Sequence, residues 1–346
     1  MTRRVLVARL DSMGDVLVSG PAVRAVAASG AEVWFLAGPQ GAAAARLLPG
    51  VAQVRTWACP WITTTDRPVD AALAADLHAV LDEARPDEVV ILTSFHQSPL
   101  PLALLLRLAG VDGPITGASV DAAGGLLTNR LIPGETFPED IPEPERALRI
   151  ARAAGFDLPD GDDGGLAVTT TAAPPAEVAD HGPYLVVHPG AAVPARAWPA
   201  GHHAEAVRLL AERGHRVVVT GGPAERDLTA SVAGTGALDL GGRLDLAGTA
   251  AVLARASLLV SGNTGPAHLA AAVRTPVVSL FSPVVPPVRW EPYGVPVELL
   301  GEQTAACAGS RARECPVPGH PCLASVTPGD VVAACERLLA RQEVRG

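Results

Sequence analysis

The chain of 346 residues is 48% hydrophobic but only 3% aromatic, and its formal charge is −9. All 27 basic residues are arginine, and the lack of lysine excludes a Schiff-base lysine, a pyridoxal phosphate enzyme and a GxxxxGK[ST] phosphate loop. Residues 1–172 hold 13 Arg against 21 acidic residues, net −8, and the remainder 14 against 15, net −1, a poor match for nucleic acid or an anionic bilayer.

The length suits two domains of ordinary size. Arg4 to Leu10 reads as a buried strand, Asp11-Ser-Met-Gly-Asp15 as a turn, and Val16 to Ala28 as a helix. Strands follow at Glu32–Ala37, Val51–Trp57 and Glu88–Thr93. An Ala-rich helix runs to about Leu48, with further helices at Val69–Ala84 and Leu100–Leu108. Strand and helix alternate throughout, which predicts an α/β fold with parallel sheets covered on both faces. Pro99 to Ala109 is the longest apolar stretch; it is about half a membrane span and Arg107 interrupts it. Met1-Thr-Arg-Arg runs straight into a strand pattern, not a signal segment. A soluble, cytoplasmic protein with at most peripheral membrane contact is expected.

From Asp157 to Pro183 the chain is rich in breakers and short polar residues, with a short strand predicted at Leu166–Thr169. The acidic run Asp160–Asp163 lacks the later ligand positions of a calcium loop. The predicted division is an N-terminal domain over 1–170, a linker over 171–183, a C-terminal domain over 184–326, and a final helix over 327–346 packing back on the first domain. In the second half, strands are read at Tyr184–His188, Arg216–Thr220, Leu238–Leu240, Ala256–Ser261 and Pro276–Leu280. Helices are read at His203–Arg213, from Gly221-Gly-Pro-Ala-Glu225 onward, at Leu246–Ala256 and from Thr327 to about Arg341, with Thr327 as N-cap.

The densest signal is Ser261-Gly-Asn-Thr-Gly-Pro-Ala-His268. A buried strand ends in a tight polar turn, and Pro266 opens a helix. Such a turn sets unpaired N–H groups and a helix N-terminus at the carboxyl end of a strand, where an anion is favoured. Thr264 adds a hydroxyl and His268 lies in the first turn; a diphosphate is the ligand expected there.

Five cysteines, Cys59, Cys307, Cys315, Cys322 and Cys335, are odd in number and spread through a long chain, which favours free thiols. Cys307, Cys315 and Cys322 lie near His320 but lack the CxxC pairs of a zinc ribbon. They read as a loop with buried thiols, and no metal is expected.

Five segments together resemble glycosyltransferase family 9, best known for the heptosyltransferases of bacterial lipopolysaccharide assembly. They are Arg9-Leu-Asp-Ser-Met-Gly-Asp15, His188-Pro-Gly-Ala191, Arg196-Ala-Trp-Pro199, Thr220-Gly-Gly-Pro-Ala-Glu225 and Gly262-Asn-Thr-Gly-Pro-Ala-His268, in the family's order. The resemblance implies a GT-B fold of two facing Rossmann-like domains with a cleft between them, and a metal-independent transfer that inverts the anomeric carbon. It implies no cofactor beyond the donor substrate, a nucleotide-diphospho-sugar that is usually ADP-heptose, held mainly by the second domain. The acceptor would be a glycan, glycolipid or small molecule.

Asp15 aligns with the family's proposed base, a role that fits the high pKa of a sugar hydroxyl; capping the helix that follows is its structural alternative, and Asp11 competes for that cap. Arg196 is the cation expected to meet the charge that develops on the departing diphosphate. Gly190, Asn263, Thr264, Gly265 and His268 would surround the donor, Glu225 its ribose and Leu246 its base. The chain departs from the family in three places. Arg196 stands where Lys is common, Asn263 stands where characterised heptosyltransferases carry Asp, and the first half is acidic. A non-catalytic nucleotide-sugar binding protein of the same fold is the alternative. A nicotinamide oxidoreductase is disfavoured, because no GxGxxG follows the first strand.

Overall fold

The computed structural model describes residues 2–62, 67–179 and 182–343. The chain divides into two units, Met1–Thr169 and Thr170–Gly346. In the first, β1 (Arg4–Arg9), β2 (Glu32–Ala37), β3 (Val51–Thr56), β4 (Glu88–Ile91), β5 (Ile115–Ala118) and β6 (Asn129–Leu131) form one parallel sheet in the order β3-β2-β1-β4-β5-β6. Successive side chains of a strand point to opposite faces. Leu6 and Ala8 pack with Leu73, Leu77 and Leu106, from the helices Ala71–Ala84 and Leu100–Leu108. Val5 and Val7, on the other face, are equally buried. Both faces of the sheet are therefore covered, which explains unbroken apolar strands rather than alternating ones.

The second unit repeats the pattern. Strands β7 (Leu185–His188), β8 (Val217–Val219), β9 (Leu238–Asp239), β10 (Leu258–Gly262), β11 (Val277–Leu280) and β12 (Val297–Leu300) form a parallel sheet in the order β12-β11-β10-β7-β8-β9. Read from the first strand of each unit, the two orders are the same. Each sheet reverses direction between its first and fourth strands, β1/β4 and β7/β10. Sheets of this kind bind ligands outside the carboxyl ends of the strands at that reversal.

Several elements differ from the sequence reading. The expected helix Val16–Ala28 is two helices, Met13–Leu17 and Gly20–Ala28, parted at Val18–Ser19 because Pro21 has no N–H and takes the start of the second. Leu166–Thr169 is not a strand, although the Thr169 N–H donates to the Leu47 carbonyl at 2.8 Å. β5, β6, β12 and the helix Glu143–Ala153 were not anticipated. The linker contains the helix Ala176–Ala179, and its residues 180 and 181 lie outside the described residues. Thr327 and Asp330 cap the final helix, Pro328–Glu343, reciprocally: the Asp330 N–H donates to Thr327 Oγ1 at 3.2 Å, and the Thr327 N–H to Asp330 Oδ2 at 2.9 Å. Val331, Val332, Cys335 and Leu338 of this helix are buried in the core of the second unit, beside Leu210 of the helix Ala200–Glu212.

Candidate active site

At the β1/β4 reversal the chain gathers charge. Arg9, the last residue of β1, is 2% exposed and faces three carboxylates: Asp11 Oδ2 at 2.8 Å, Asp15 Oδ1 at 3.0 Å and Glu143 Oε2 at 3.8 Å. Burial opposes its charge, but the three carboxylates outweigh burial and hold the guanidinium protonated. Asp15 lies on the short helix that follows and is the most exposed of the three acids, at 18%. Ser12 Oγ donates to Asp15 Oδ2 at 2.6 Å, and Arg9 Nη2 donates to Oδ1. From the loop after β4, Ser94 Oγ accepts from Arg9 Nη2 at 2.7 Å. Asp15 is thus an oriented carboxylate, held at both oxygens and partly exposed to solvent.

At the β7/β10 reversal the chain gathers hydrogen-bond donors. The helix Gly265–Ala272 opens after an extended Thr264, at a turn where the Thr264 hydroxyl lies 3.4 Å from the Ser261 hydroxyl. Arg196 reaches this turn from the loop after β7, and its Nη1 donates to the Asn263 carbonyl at 3.4 Å. Its backbone is fixed from several sides. The Ala195 N–H donates to the Arg313 carbonyl at 2.9 Å, His320 Nε2 lies 3.2 Å from the Ala195 carbonyl, and Trp198 Nε1 donates to the Val326 carbonyl at 3.1 Å. Gly262 permits the approach, since a Cβ there would stand 3.0 Å from the Arg196 carbonyl oxygen.

A second group sits on the neighbouring strand ends. His188, the last residue of β7, is paired in register with Ser261 of β10. Its Nδ1 lies 3.1 Å from the Thr220 hydroxyl and its Nε2 3.8 Å from Glu225 Oε2. Burial lowers the His188 pKa against the pull of Glu225. Glu225 Oε2 also accepts the Gly222 N–H at 2.7 Å. Gly190 lies so close to this carboxylate that a Cβ would stand 1.9 Å from Glu225 Oε1.

A family model described as glycosyltransferase family 9 (heptosyltransferase) matches residues 126–320. The chain belongs to glycosyltransferase family 9. It is 34% identical over 201 residues to lipopolysaccharide heptosyltransferase 1 of Pseudomonas aeruginosa, a match covering 55% of this chain and 54% of that one. The chain thus spans about half the length of that relative. Among solved structures, a family 9 glycosyl transferase from Veillonella parvula superposes with a TM-score of 0.76 at 18% identity, covering 98% of both chains. The Escherichia coli ADP-heptose lps heptosyltransferase II superposes at 0.73 with 21% identity, covering 98% of this chain and 99% of that one. The fold is the GT-B fold of two Rossmann-like units.

The structure brings Arg196, Asn263, Thr264 and Gly265 together, and places Gly190 against Glu225. Asn263 departs from expectation. Its side chain faces the protein, not an open site: Nδ2 donates to the Ser282 carbonyl at 3.3 Å and Oδ1 accepts the Ser282 N–H at 3.2 Å. That two-way bond ties the turn after β10 to the end of β11. An aspartate could accept from the N–H but could not donate to the carbonyl. His268 is 5% exposed, with its ring edge-on to Trp290 at 6.3 Å. Leu246 opens the helix Leu246–Leu253 beyond β9, where the Asp245 carboxylate caps the Gly248 N–H at 2.7 Å.

Among the described residues, no group of three or more His, Cys, Asp or Glu side chains is arranged to hold a metal ion. Cys307 packs with Ala195 and Val284, while Cys322 lies in the main core of the second unit. No helix among the described residues is long and apolar enough to cross a membrane. Sequence reasoning missed Arg9, Ser94, Gln97 and Glu143 as parts of the first site. Ser94 and Gln97 could have been suspected, since they follow a predicted strand end. Glu143 had no such signal.

Proposed function

We propose that this protein is an inverting glycosyltransferase that moves a sugar, a heptose, from an ADP-linked donor to an acceptor hydroxyl on a glycan or glycolipid. Asp15 takes the proton of the attacking hydroxyl, a task suited to a fixed carboxylate that reaches solvent. Arg196, the Thr264 hydroxyl and the helix start at Gly265 meet the charge that grows on the leaving diphosphate. Glu225, beside Gly190, accepts bonds from the ribose hydroxyls, with Leu246 toward the base and His268 behind the phosphate turn. One observation carries the reading: equivalent reversals of two like sheets hold complementary chemistry, an oriented carboxylate in one and oriented donors in the other. The relatives' printed names, lipopolysaccharide heptosyltransferase and ADP-heptose heptosyltransferase, support the choice of sugar, nucleotide and acceptor class. The enzyme would work in the cytoplasm, touching membrane at most peripherally.

Because the groups assigned to the diphosphate belong to the chain itself, transfer persists in excess EDTA. The test is a thermal-shift screen across nucleoside diphosphates and their sugars, followed by transfer with the best donor, with and without chelator. ADP at a hundredfold over its dissociation constant stabilises by roughly 2.7 kcal/mol. Preference for another nucleotide corrects the donor. Binding without transfer or donor hydrolysis points instead to a nucleotide-sugar binding protein. Loss in EDTA restored by magnesium alone refutes the metal-free mechanism.

A further inference from the structure

The guanidinium of Arg9 is divided between two aspartates. Its Nε edge meets Asp11 Oδ2 at 2.8 Å, while Nη2 meets Asp15 Oδ1 at 3.0 Å and Ser94 Oγ at 2.7 Å. An arginine beside a single carboxylate commonly closes on both its oxygens, a bidentate clamp that favours the ionised form and weakens it as a base. Arg9 presents Nη2, and not its Nε edge, to Asp15. Asp11 holds that edge, and Asp11 is itself pinned from the far side. Gln97 Nε2 donates to Asp11 Oδ1, and Gln97 Oε1 accepts the Ser94 N–H at 3.1 Å. The chain Asp15, Arg9, Asp11, Gln97, Ser94 closes on itself, because Ser94 returns to Arg9.

We infer that Asp11 is a positioning residue for Asp15: by engaging the Nε edge of Arg9 it prevents a bidentate clamp and preserves the basicity of Asp15. The inference deepens the transferase reading and rests on Asp15 as its base. A second negative charge nearby acts in the same direction, since like charge disfavours ionisation of its neighbour and so strengthens it as a base.

The groups around Asp11 come from five places. They are Arg9 on β1, Ser12 and Asp15 on the following turn and helix, Ser94 and Gln97 after β4, Glu143 on its helix, and Cys59 after β3. Burial pushes the Cys59 thiol up to about 12, so it is uncharged at neutral pH. Burial also pushes Asp11 up to about 6, against the pull of Arg9. The aspartate pair therefore takes up a proton near that pH. Above the step both carboxylates are charged and Asp15 is the stronger base; below it, that enhancement is gone.

The test follows the Asp15 side-chain carboxyl carbon by NMR in the free protein across pH. In wild type its shift inflects near pH 6, and in Asp11→Asn that inflection vanishes. In the transfer assay, Asp11→Asn moves the acid limb of kcat down by about one pH unit and lowers its plateau roughly three- to tenfold, with donor KM unchanged. A purely structural role would lower stability without moving inflection or limb. Identical Asp15 titrations in the two proteins overturn the inference. If Asp11→Asn does not fold, Gln97→Leu serves: loss of the bond to ionised Asp11 raises the step above pH 6, and an unmoved step is fatal. Asp15→Asn separates the two levels. Wild-type transfer by that variant removes Asp15 as the base of the reaction, while the NMR titration of the wild-type carboxylate still decides the coupling.

Discussion

The two units share one strand order, yet their reversals are furnished in opposite ways. The β1/β4 reversal is lined by buried charge: one arginine and three carboxylates, with Asp15 the most open to solvent. The β7/β10 reversal carries a helix start, a hydroxyl and an arginine on a loop bonded to the protein's own backbone. A frame that places strand ends equivalently leaves the chemistry to the loops. An oriented acid suits proton removal from a neutral hydroxyl, whereas N–H groups and a cation suit charge already present on a diphosphate. The proposed division of labour between the units rests on that contrast, and each half of it can be attacked separately.

The largest effect is expected at the first reversal. Asp15→Asn lowers transfer by about 10² to 10⁴-fold while leaving ADP affinity unchanged, because the base acts on the acceptor. Initial rates together with calorimetric ADP binding check this. A variant that loses ADP binding as well would erase the contrast between the units. The mirror-image experiment is Arg196→Ala, which weakens ADP binding and slows turnover together, at a cost on the order of 2–4 kcal/mol. Arg196→Lys regains much of the rate if charge alone is needed. Unchanged ADP affinity and rate in the alanine variant would remove Arg196 from the site.

Two smaller changes sharpen the picture of the second reversal. Asn263→Asp replaces the donor to the Ser282 carbonyl with a second acceptor in a buried position, and lowers stability at neutral pH by about 1–3 kcal/mol. Thermal unfolding at pH 5 and 8 reads it; the deficit shrinks at the lower pH, where protonation restores a donor. An undiminished melting temperature would return the side chain to the donor site. Gly190→Ala is the mildest. The new Cβ displaces the flexible Glu225 carboxylate, so ADP binding weakens several-fold, about 1 kcal/mol, with kcat for saturating donor little changed. Equal binding by wild type and variant would separate Glu225 from the ribose.

Legibility differed between the two sites for a physical reason. The phosphate turn was readable because its parts are contiguous: strand, polar turn, Pro266 and helix lie within a dozen residues, and local backbone rules connect them. Asp15 was readable through the resemblance of Arg9-Leu-Asp-Ser-Met-Gly-Asp15 to the family. The partners of Asp15 were not, since Ser94 stands 85 residues from Arg9 in sequence. β5 and β6 escaped notice because Ile115-Thr-Gly-Ala118 and Asn129-Arg-Leu131 are short and carry little apolar pattern. They are strands because a neighbouring edge accepts their hydrogen bonds. The helix bearing Glu143 lay in that same unread stretch.

From the sequence alone follow the alternation of strands and helices, the parallel sheets, the family and the candidate base and phosphate turn. The alternation, the sheets and the phosphate turn rest on periodicity and on residues adjacent along the chain; the family and the base rest on the resemblance of five short segments. The tertiary structure alone decides that Arg9 is shared among Asp11, Asp15 and Glu143, that Arg196 reaches Asn263 across 67 residues, and that the Asn263 amide bonds to Ser282. A buried polar side chain must find a partner wherever the fold brings one. Which strand ends become neighbours is set by the strand order, and no spacing along the chain encodes it.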